Sequence, residues 1–418
     1  MKKNMNSKKL INLIKLTLFC LTVGAVVGAI IWTFLKVMAV GIECIWETVP
    51  EQVGVPILLY TVLVCTVGGF LIGLFRKKFG DYPEDLDAVM GKVKTDKHYD
   101  YNNMLVMLLA ALFPLLLGAS IGPEAGLTGI IIGLCYWAGD NMKFAGVNTK
   151  AYSEVGTAVT LSVLFGSPLF GIFAVEEEGE DQVYQLTKSS KIFLYGLAIA
   201  GGMGAYMGLT AAFDAGMEGI PTFEAAVPRG RDFPMMIVYI LAGCLLAWFY
   251  EVTHKGFHHL SEKMPPVAGE TAAGLCLGLV GAFVPMIMFS GEGEMHELMH
   301  SFGAYLPWML VGLAFLKVLM TNICIQLGLK GGHFFPVIFA GVCLGYGIAM
   351  FVFPEAVAEH VVFGAAVVTA ALLGGIMKKP LAVTMLLFLC FPVRMFLWIF
   401  LAAVVGSKVF SRKEEKEV

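Results

Sequence analysis

The chain has 418 residues, of which 58% are hydrophobic and only 15% are charged, and its mean hydropathy is +0.78. Soluble domains are closer to ~45–50% apolar and ~25% charged, so this composition excludes a soluble globular fold. The formal net charge of −3 gives no indication of a nucleic-acid partner. Long apolar stretches recur between residues 10 and 406, separated by short polar loops. This pattern predicts an all-α polytopic membrane protein.

The first apolar stretch, residues 10–40, is too long for the core of a signal peptide and has no obvious cleavage site. We therefore expect it to be retained as a helix. Lysines precede it, glutamates follow it, and the next apolar stretch ends in the basic cluster Arg76-Lys77-Lys78. Because positive charge marks the cytoplasmic side, the sequence predicts a plasma-membrane or inner-membrane protein with both termini in the cytoplasm.

The nine cysteines are scattered through the apolar segments and form no Cys-x-x-Cys pair. This distribution indicates thiols packed among other apolar side chains, with no disulfide framework and no metal site. We accordingly expect no cofactor.

The two halves of the chain resemble each other at three places. GGFLIGLF at 68–75 matches AGLCLGLV at 273–280, GPEAGLTGIIIGLCY at 122–136 matches GHFFPVIFAGVCLGY at 332–346, and GSPLFGIFAVEE at 166–177 matches KKPLAVTMLLFL at 378–389. The spacing between the two partners is nearly the same in all three pairs, and their order along the chain is preserved. Such a duplication predicts two inverted-topology repeats with the substrate site where they meet. The predicted limits are a single transmembrane domain over 1–418, repeats at about 55–212 and 260–406, and a short cytoplasmic tail at 407–418.

Both members of the second pair contain a break at which a helix begins inside an apolar stretch. In LKGGHFFPVIFAG, residues 329–341, two glycines precede Pro336, which a helix tolerates in its first turn. The first N–H groups of such a helix have no acceptors within it, and the helix dipole adds about +0.5 charge there. This end therefore binds anions, and the sequence predicts reentrant broken helices at both positions.

GASIGPEAG, residues 118–126, has the same arrangement but places a carboxylate, Glu124, directly after Gly122 and Pro123. An ionisable group at membrane depth costs ~2.5–3.5 kcal/mol even on a lenient insertion scale, so a compensating interaction is expected. Converging helix N-termini provide one. We interpret Glu124 as an anion that takes the place of the permeating ion and gives it up on protonation. The alternative is a carboxylate that only caps a loop at the membrane surface.

Two further polar stretches adjoin short predicted helices. The apolar run after Pro168 leads into an acidic segment in which Glu177 or Glu178 is a candidate proton acceptor, while a solvated helix end is the alternative. The segment GDYPEDLDAVMGK, residues 80–92, predicts a short helix with Asp81 as its cap. Because it follows the basic cluster, its N-terminus approaches from the cytoplasmic side, and an ordinary capped loop helix is the alternative.

Together these motifs resemble the CLC family of chloride channels and proton-coupled anion exchangers, from about residue 60 to 406. GPEAG is similar to the family's G-[KR]-E-G-P motif, so Glu124 falls at the position of the family's gating glutamate. GGHFFP is similar to the family's G-x-F-x-P motif. The resemblance implies an inverted duplication and an anion path within each subunit of a homodimer. The residues that it assigns to the anion through their backbone are Gly122, Ala125, Gly332, His333, Phe334, Phe335 and Pro336.

The same resemblance assigns a proton path and an inner end to the anion path. SPLFGIFAVEEE is similar to the family's APLAGILFxxEE helix, so Glu178 falls on the internal proton-transfer glutamate of exchangers and Glu177 on its neighbour. The family's G-S-G-I-P motif falls on FGDYP, which assigns the inner end to Gly80, Asp81, Tyr82 and Pro83. Gly80 replaces the selectivity serine, and the pore tyrosine has no identifiable counterpart. The identity of the anion therefore stays open.

The functional hypothesis is a transporter, not an enzyme, that exchanges protons for chloride or a similar small anion under the control of Glu124. Its expected partners are the anion, protons, the lipid bilayer and a second copy of the chain, with no nucleic acid. A passive anion channel or uniporter and a fluoride/proton antiporter are the alternatives.

A remote alternative is an intramembrane zinc metalloprotease. MHELMH at 295–300 fits the H-E-x-x-H pattern, in which two histidines one helical turn apart bind metal beside a general base. The residues concerned are His296, Glu297, Leu298, Met299 and His300. Because the motif lies in a polar stretch and no third ligand is recognisable, a solvated helix face is the favoured interpretation.

Overall fold

The computed structural model of the chain describes residues 2–84, 89, 92, 99–142, 149–176, 188–213, 221–224, 227–265, 267–355 and 357–417. Within these residues the regular secondary structure is helical, which confirms the predicted all-α class. The helices of the first half are α1 (Lys2–Glu43), α2 (Val49–Val53), α3 (Ile57–Phe79), α4 (Met104–Leu116), α5 (Glu124–Met142), α6 (Thr149–Leu164), α7 (Pro168–Glu176) and α8 (Lys188–Phe213). Those of the second half are α9 (Asp232–Ser261), α10 (Ala268–Phe283), α11 (Glu292–Ser301), α12 (Pro307–Gln326), α13 (Phe334–Val352), α14 (Val357–Met377), α15 (Pro380–Cys390) and α16 (Phe396–Glu417). The predicted tail continues α16 as helix through residue 417.

Eight segments of the described chain are long and apolar enough to cross a membrane. They are Thr17–Val53, Ile57–Phe79, Ile192–Phe213, Asp232–Ser261, Pro307–Gln326, Phe334–Val352, Val357–Met377 and Val393–Phe410. Shorter apolar helices, such as the 13-residue α4 and the 11-residue α15, lie between some of them. At 1.5 Å per residue these are about 20 Å long or less, which is shorter than the ~30 Å hydrocarbon core. The chain is thus a multi-pass membrane protein with interrupted helices.

The chain folds into two compact units. The first consists of Met1–Val37, Asp87–Met104 and Leu127–Met217. In this unit α1 packs on α8 through small residues, with Gly24 against Ala198 and Gly28 against Gly202. Because these residues have small side chains or none, the two backbones can come into contact, as is typical of membrane helices.

The second unit contains both helix breaks. It consists of Met38–Leu86, Leu105–Gly126 and Glu218–Val418. Here α3 packs against α10, the two helices that carry the first pair of matching segments. Gly278 of α10 lies against Val62 of α3, and Gly274 of α10 lies against Cys65 of α3. Residue numbers thus increase along α3 where they decrease along α10. The matching helices therefore run antiparallel to each other, as inverted repeats require.

The two helix breaks also match in backbone detail. The connections between α4 and α5 and between α12 and α13 have equivalent hydrogen bonds at corresponding positions. In the first break Ala119 N–H donates to the carbonyl oxygen of Pro114 at 3.1 Å. In the second break Leu329 N–H donates to the carbonyl oxygen of Cys324 at 2.8 Å. Gly118 and Gly328, which also correspond, both have a positive φ, +76° and +110°, which glycine adopts without strain. The match found in the sequence is thus a match between two copies of the same helix–break–helix structure.

Replacing Gly274 by valine tests the backbone contact between α3 and α10. A Cβ at Gly274 would lie 2.2 Å from the carbonyl oxygen of Cys65, so the helices must separate. Overpacking typically costs ~1–3 kcal/mol, and a clash with backbone belongs at the upper end or beyond. We expect Gly274→Val to lower the thermal midpoint of the detergent-solubilised protein. Gly312→Val on α12 is the control, because a Cβ there meets nothing within 4 Å. Equal losses in the two variants would contradict this packing.

Candidate functional site

The candidate site lies in the second unit, where the two helix breaks touch. Gly122 N–H donates to the carbonyl oxygen of Gly332, and Gly332 N–H donates to that of Gly122, each at 2.8 Å. The two residues form an isolated antiparallel β-bridge in an otherwise helical region. Two hydrogen bonds thus fix the chain immediately before α5 against the chain immediately before α13. The sequence predicted both breaks, and the structure brings them together.

Glu124, the first residue of α5, lies across this bridge. Its side chain is 2% exposed, and its Oε1 accepts a hydrogen bond from the backbone N–H of Phe334 at 2.8 Å. Phe334 is the first residue of α13, so this N–H has no acceptor within its own helix. The carboxylate therefore occupies the N-terminus of the opposite helix, where the dipole favours negative charge.

The two bridging glycines leave room for this carboxylate. A Cβ at Gly332 would lie 1.8 Å from the Cδ of Glu124, and one at Gly122 would lie 2.0 Å from its Oε2. Contacts this short do not occur between real atoms, so any side chain at either position would displace the carboxyl group. The glycines are required here by the close approach of the carboxyl group.

The predicted backbone donors have different positions in the structure. The N–H groups of Gly122 and Gly332 each donate to the other residue's carbonyl oxygen, so in this geometry they form the β-bridge. Pro336 lies in the first turn of α13 as predicted and contributes no N–H. The remaining predicted residues at the two helix starts are Ala125, His333, Phe334 and Phe335, of which His333 alone is partly exposed. The His333 ring lies 5.6 Å from the ring of Tyr250.

The proposed proton acceptors Glu177 and Glu178 lie outside the described residues. Helix α7 ends at Glu176, directly before them. The apolar start of this helix at Pro168 was predicted correctly. In the short helix predicted for residues 80–92, residues 85–88, 90 and 91 likewise lie outside the described chain, and residues 80–84 are not helical.

Gly80, Asp81, Tyr82 and Pro83 follow α3 and lie beside the segment that leads to α13. Asp81 Oδ2 accepts a hydrogen bond from Lys330 Nζ at 2.6 Å, and Asp81 also pairs with Arg76. Burial raises the pKa of Asp81, but the hydrogen bond and charge of Lys330, together with the charge of Arg76, outweigh it. The pKa of Asp81 therefore lies below its ordinary value. The sequence predicted Asp81 as a helix cap and did not identify this pairing.

Lys317 is a functional candidate that the sequence interpretation missed. It is fully buried on α12, and its Nζ donates to the carbonyl oxygens of Met286, Met288 and Phe289 at 3.2, 2.8 and 2.9 Å. Phe289 N–H in turn donates to the carbonyl oxygen of Gly118 in the first helix break. Lys317 thus holds an irregular segment against the connection that leads to Glu124. A single lysine inside the apolar run of 307–326 was the available signal.

Glu292, the first residue of α11, is a second missed candidate. Burial, and next the negative charge of Glu124, raise the pKa of Glu292 to about 8, although a hydrogen bond from Ser290 opposes the rise. Glu124 and Glu292 are therefore electrostatically coupled carboxylates. They lie in different halves of the chain, and no local pattern indicates the coupling.

The H-E-x-x-H motif forms the body of α11. Glu297 and His300 are exposed, His296 is partly exposed, and Leu298 is buried. Across the part of the chain that the structure describes, no group of three His, Cys, Asp or Glu side chains is arranged to hold a metal ion. The geometry matches the solvated helix face that the sequence favoured.

Neutralising Glu124 tests the coupling to Glu292. In Glu124→Gln we expect the pKa of Glu292 to fall, because one of the charges that raises it has been removed. Infrared spectroscopy can follow the carboxyl band across a pH titration, with Glu292→Gln used to assign it. Glu297→Gln is the control, since Glu297 is exposed on the same helix. A Glu292 titration that is the same in Glu124→Gln and wild type would refute the coupling.

Comparison with known sequences identifies the wider group to which this chain belongs. The family described as "Voltage gated chloride channel" matches residues 68–412. Among curated relatives are the YfeO proteins of Salmonella newport (strain SL254) and Salmonella typhimurium (strain LT2), which are assigned to ion transport. Each is 24% identical to this chain over 343 residues, 79% of this chain and 79% of its own length.

Solved structures share the same fold. A slow cyanobacterial Cl⁻/H⁺ antiporter superposes with a TM-score of 0.76 at 17% identity, covering 95% of this chain and 94% of its own. A CLC-type fluoride/proton antiporter gives 0.71 at 17% identity, covering 96% of both chains. A eukaryotic CLC transporter gives 0.68 at 14% identity and covers 96% of this chain and 73% of its own. With a family match over most of its length, this chain belongs to the voltage-gated chloride channel, or CLC, family, whose members are transporters or channels and not enzymes.

Proposed function

We propose that this CLC-type anion transporter exchanges a small monovalent anion, chloride or fluoride, for protons, and that Glu124 is its gate. The observation that carries the proposal is the 2.8 Å hydrogen bond from Phe334 N–H to Glu124 Oε1. In this contact a carboxyl oxygen lies at a helix N-terminus, the kind of position that binds anions, and this supports the proposal that a permeating anion uses the same place. An anion and the ionised carboxylate would then compete for one position.

Protonation of Glu124 couples this competition to protons. A neutral carboxyl group loses most of its attraction to the N-terminus of α13, because the dipole and the N–H favour the charged form. The side chain then leaves and an anion takes its place. When the proton is released, the carboxylate returns and displaces the anion. In each cycle, binding and release of an anion are thus linked to protonation and deprotonation of Glu124.

Several features support exchange over passive conduction. Two of the similar structures are a chloride/proton and a fluoride/proton antiporter. Glu178, with Glu177 beside it, is our proposed proton acceptor on the other side of the path. We further propose a homodimer in the plasma or inner membrane with both termini in the cytoplasm. The acidic run after α7 supports Glu178, the positive charge at 76–78 supports the orientation in the membrane, and the homodimer rests on the family resemblance.

Proteoliposome transport provides the test. Vesicles of purified protein receive an outward chloride or fluoride gradient, the membrane potential is clamped near zero, and external pH and anion efflux are recorded together. We expect wild type to move protons against their gradient, driven by the anion. Glu124→Ala is expected to abolish proton movement while anion flux persists, because the competing carboxylate is gone. Glu178→Ala is expected to do the same if it delivers the protons.

Glu297→Gln serves as the matched control, since this exposed carboxylate on α11 should leave both fluxes unchanged. Anion flux in wild type without proton movement would show a passive channel or uniporter and refute the exchange. Proton coupling that survives in Glu124→Ala would remove Glu124 from the gating role.

A further inference from the structure

A row of titratable side chains on one face of α9 leads to the start of α13. Tyr250, His254 and His258 are four residues apart, so they follow one another along one face in steps of about 6 Å. The ring centroids of Tyr250 and His254 are 5.8 Å apart, with 27° between the ring planes. The ring of His333, the N-cap of α13, lies 5.6 Å from the ring of Tyr250. These side chains are here called the histidine line: Tyr250, His254, His258 and His333.

Exposure increases along the histidine line towards the C-terminus of α9. Tyr250 is 7% exposed, His254 is partly exposed, and the side chain of His258 is 62% exposed. At the inner end His333 is partly exposed, although Phe334 beside it is buried. A water molecule can therefore touch every imidazole of the line.

The outer end of the histidine line borders a cavity of about 340 Å³ in the second unit, which His258, Gln326 and Arg76 help to line. His258 Nδ1 lies 3.2 Å from Gln326 Oε1, and its Nε2 lies 3.8 Å from a carboxylate oxygen of Glu262. Arg76, which donates to Glu270 Oε1 at 2.5 Å, belongs to the basic cluster at the end of α3. A water molecule takes up about 30 Å³ of liquid, so the cavity has room for several. Protons thus have access to His258 from the side that the positive charge predicts to be cytoplasmic.

The inner end of the histidine line lies at the hydrogen bond that holds Glu124. His333 directly precedes Phe334, whose N–H donates to Glu124 Oε1 at 2.8 Å, and the rings of His333 and Phe334 are 4.5 Å apart. Imidazole exchanges protons near neutral pH more readily than any other unperturbed side chain. The dipole of α13 disfavours a cation at its N-terminus, so a proton on His333 passes on to the Glu124 carboxylate rather than staying there.

We propose that the histidine line relays protons between the cavity at the end of α9 and Glu124. His258 takes up a proton from water, and the proton passes by way of His254 to His333 through bridging water molecules. In the last step an N–H bond of the His333 imidazolium breaks and an O–H bond forms on the Glu124 carboxylate, which leaves both groups neutral. Tyr250 is a positioning residue whose ring holds the two inner imidazoles. This inference rests on the proposed exchange and gives it a proton route separate from the acidic run after α7.

Proton and anion fluxes recorded in the same proteoliposomes, at one fixed pH and under a chloride or fluoride gradient, test the relay. His254→Phe and His333→Phe keep a ring against Tyr250 but cannot carry a proton. We expect each to lower the number of protons moved per anion by about tenfold or more, because a positioned acid–base group contributes 10²–10⁴-fold to a proton transfer. Anion flux is expected to persist, since Glu124 still titrates from the opposite side. The double variant should lose no more than the more affected single variant, because the two residues act in series.

Tyr250 is tested by the ratio of protons to anions, which a loss of packing alone would not change because it lowers both fluxes together. Tyr250→Ala is expected to lower the ratio, and Tyr250→Phe, which keeps the ring, is expected to restore it. A ratio in Tyr250→Phe as low as in Tyr250→Ala would contradict the positioning role.

His259→Phe is the matched control, because the side chain of His259 is 69% exposed on the same helix and lies off the face that carries the line. A coupled wild type whose ratio is unchanged in both His254→Phe and His333→Phe would overturn the relay and leave the exchange standing, as would an equal loss in His259→Phe. If His333→Phe does not fold, His254→Phe decides alone by the same criterion. Wild-type protein that moves anions without protons would instead refute the exchange, and the relay with it.

Discussion

Helices α5 and α13 begin among buried residues of the second unit, and their first N–H groups have no acceptor within the helix. Unsatisfied backbone groups at such depth cost free energy, so the fold must provide partners. The reciprocal hydrogen bonds between Gly122 and Gly332 satisfy one N–H in each break. They also bring the two helix starts so close that the side chain of Glu124 reaches the amide of Phe334. The position of the candidate gate follows from this backbone pairing.

The charged groups around the site follow a common rule, in which each buried charge has a specific partner. Lys317 is held by three backbone carbonyls, and Arg76 is held by Glu270 and a carbonyl oxygen. Buried charges without such partners would lose far more hydration energy than a fold can offset. The irregular segments between helices are therefore the places where charge is stabilised, since their carbonyls are not used by helical hydrogen bonds. Charge and broken helix occur together for this reason.

Much of the fold was predictable from the sequence because its signals are local. Apolar stretches of membrane length, the Gly-Gly and Gly-Pro breaks and the nearly constant spacing between matching segments identified the helix starts at Glu124 and Phe334 within a residue or two. The contacts made by Asp81 and Lys317 were not predictable, because they join segments that are distant in the sequence, and the coupling of Glu292 to Glu124 is hidden for the same reason. A lysine in an apolar run indicates that some partner exists, but the partners here are backbone carbonyls, which have no sequence signature. The chemistry of the breaks is thus encoded locally, and the electrostatics around them arises only on folding.

The equivalent hydrogen bonds of the two breaks also restrict how the gene can change. Each break connects a positive-φ glycine, Gly118 or Gly328, to a bridging glycine four positions later. An inserted or deleted residue in one break would move its bridging glycine out of register with the other, and no adjustment within that copy restores it. Substitutions can accumulate independently in the two halves, as the low identity between them illustrates. Insertions and deletions cannot accumulate independently. The side chains of the two copies are therefore free to diverge, while the number of residues in each break stays the same.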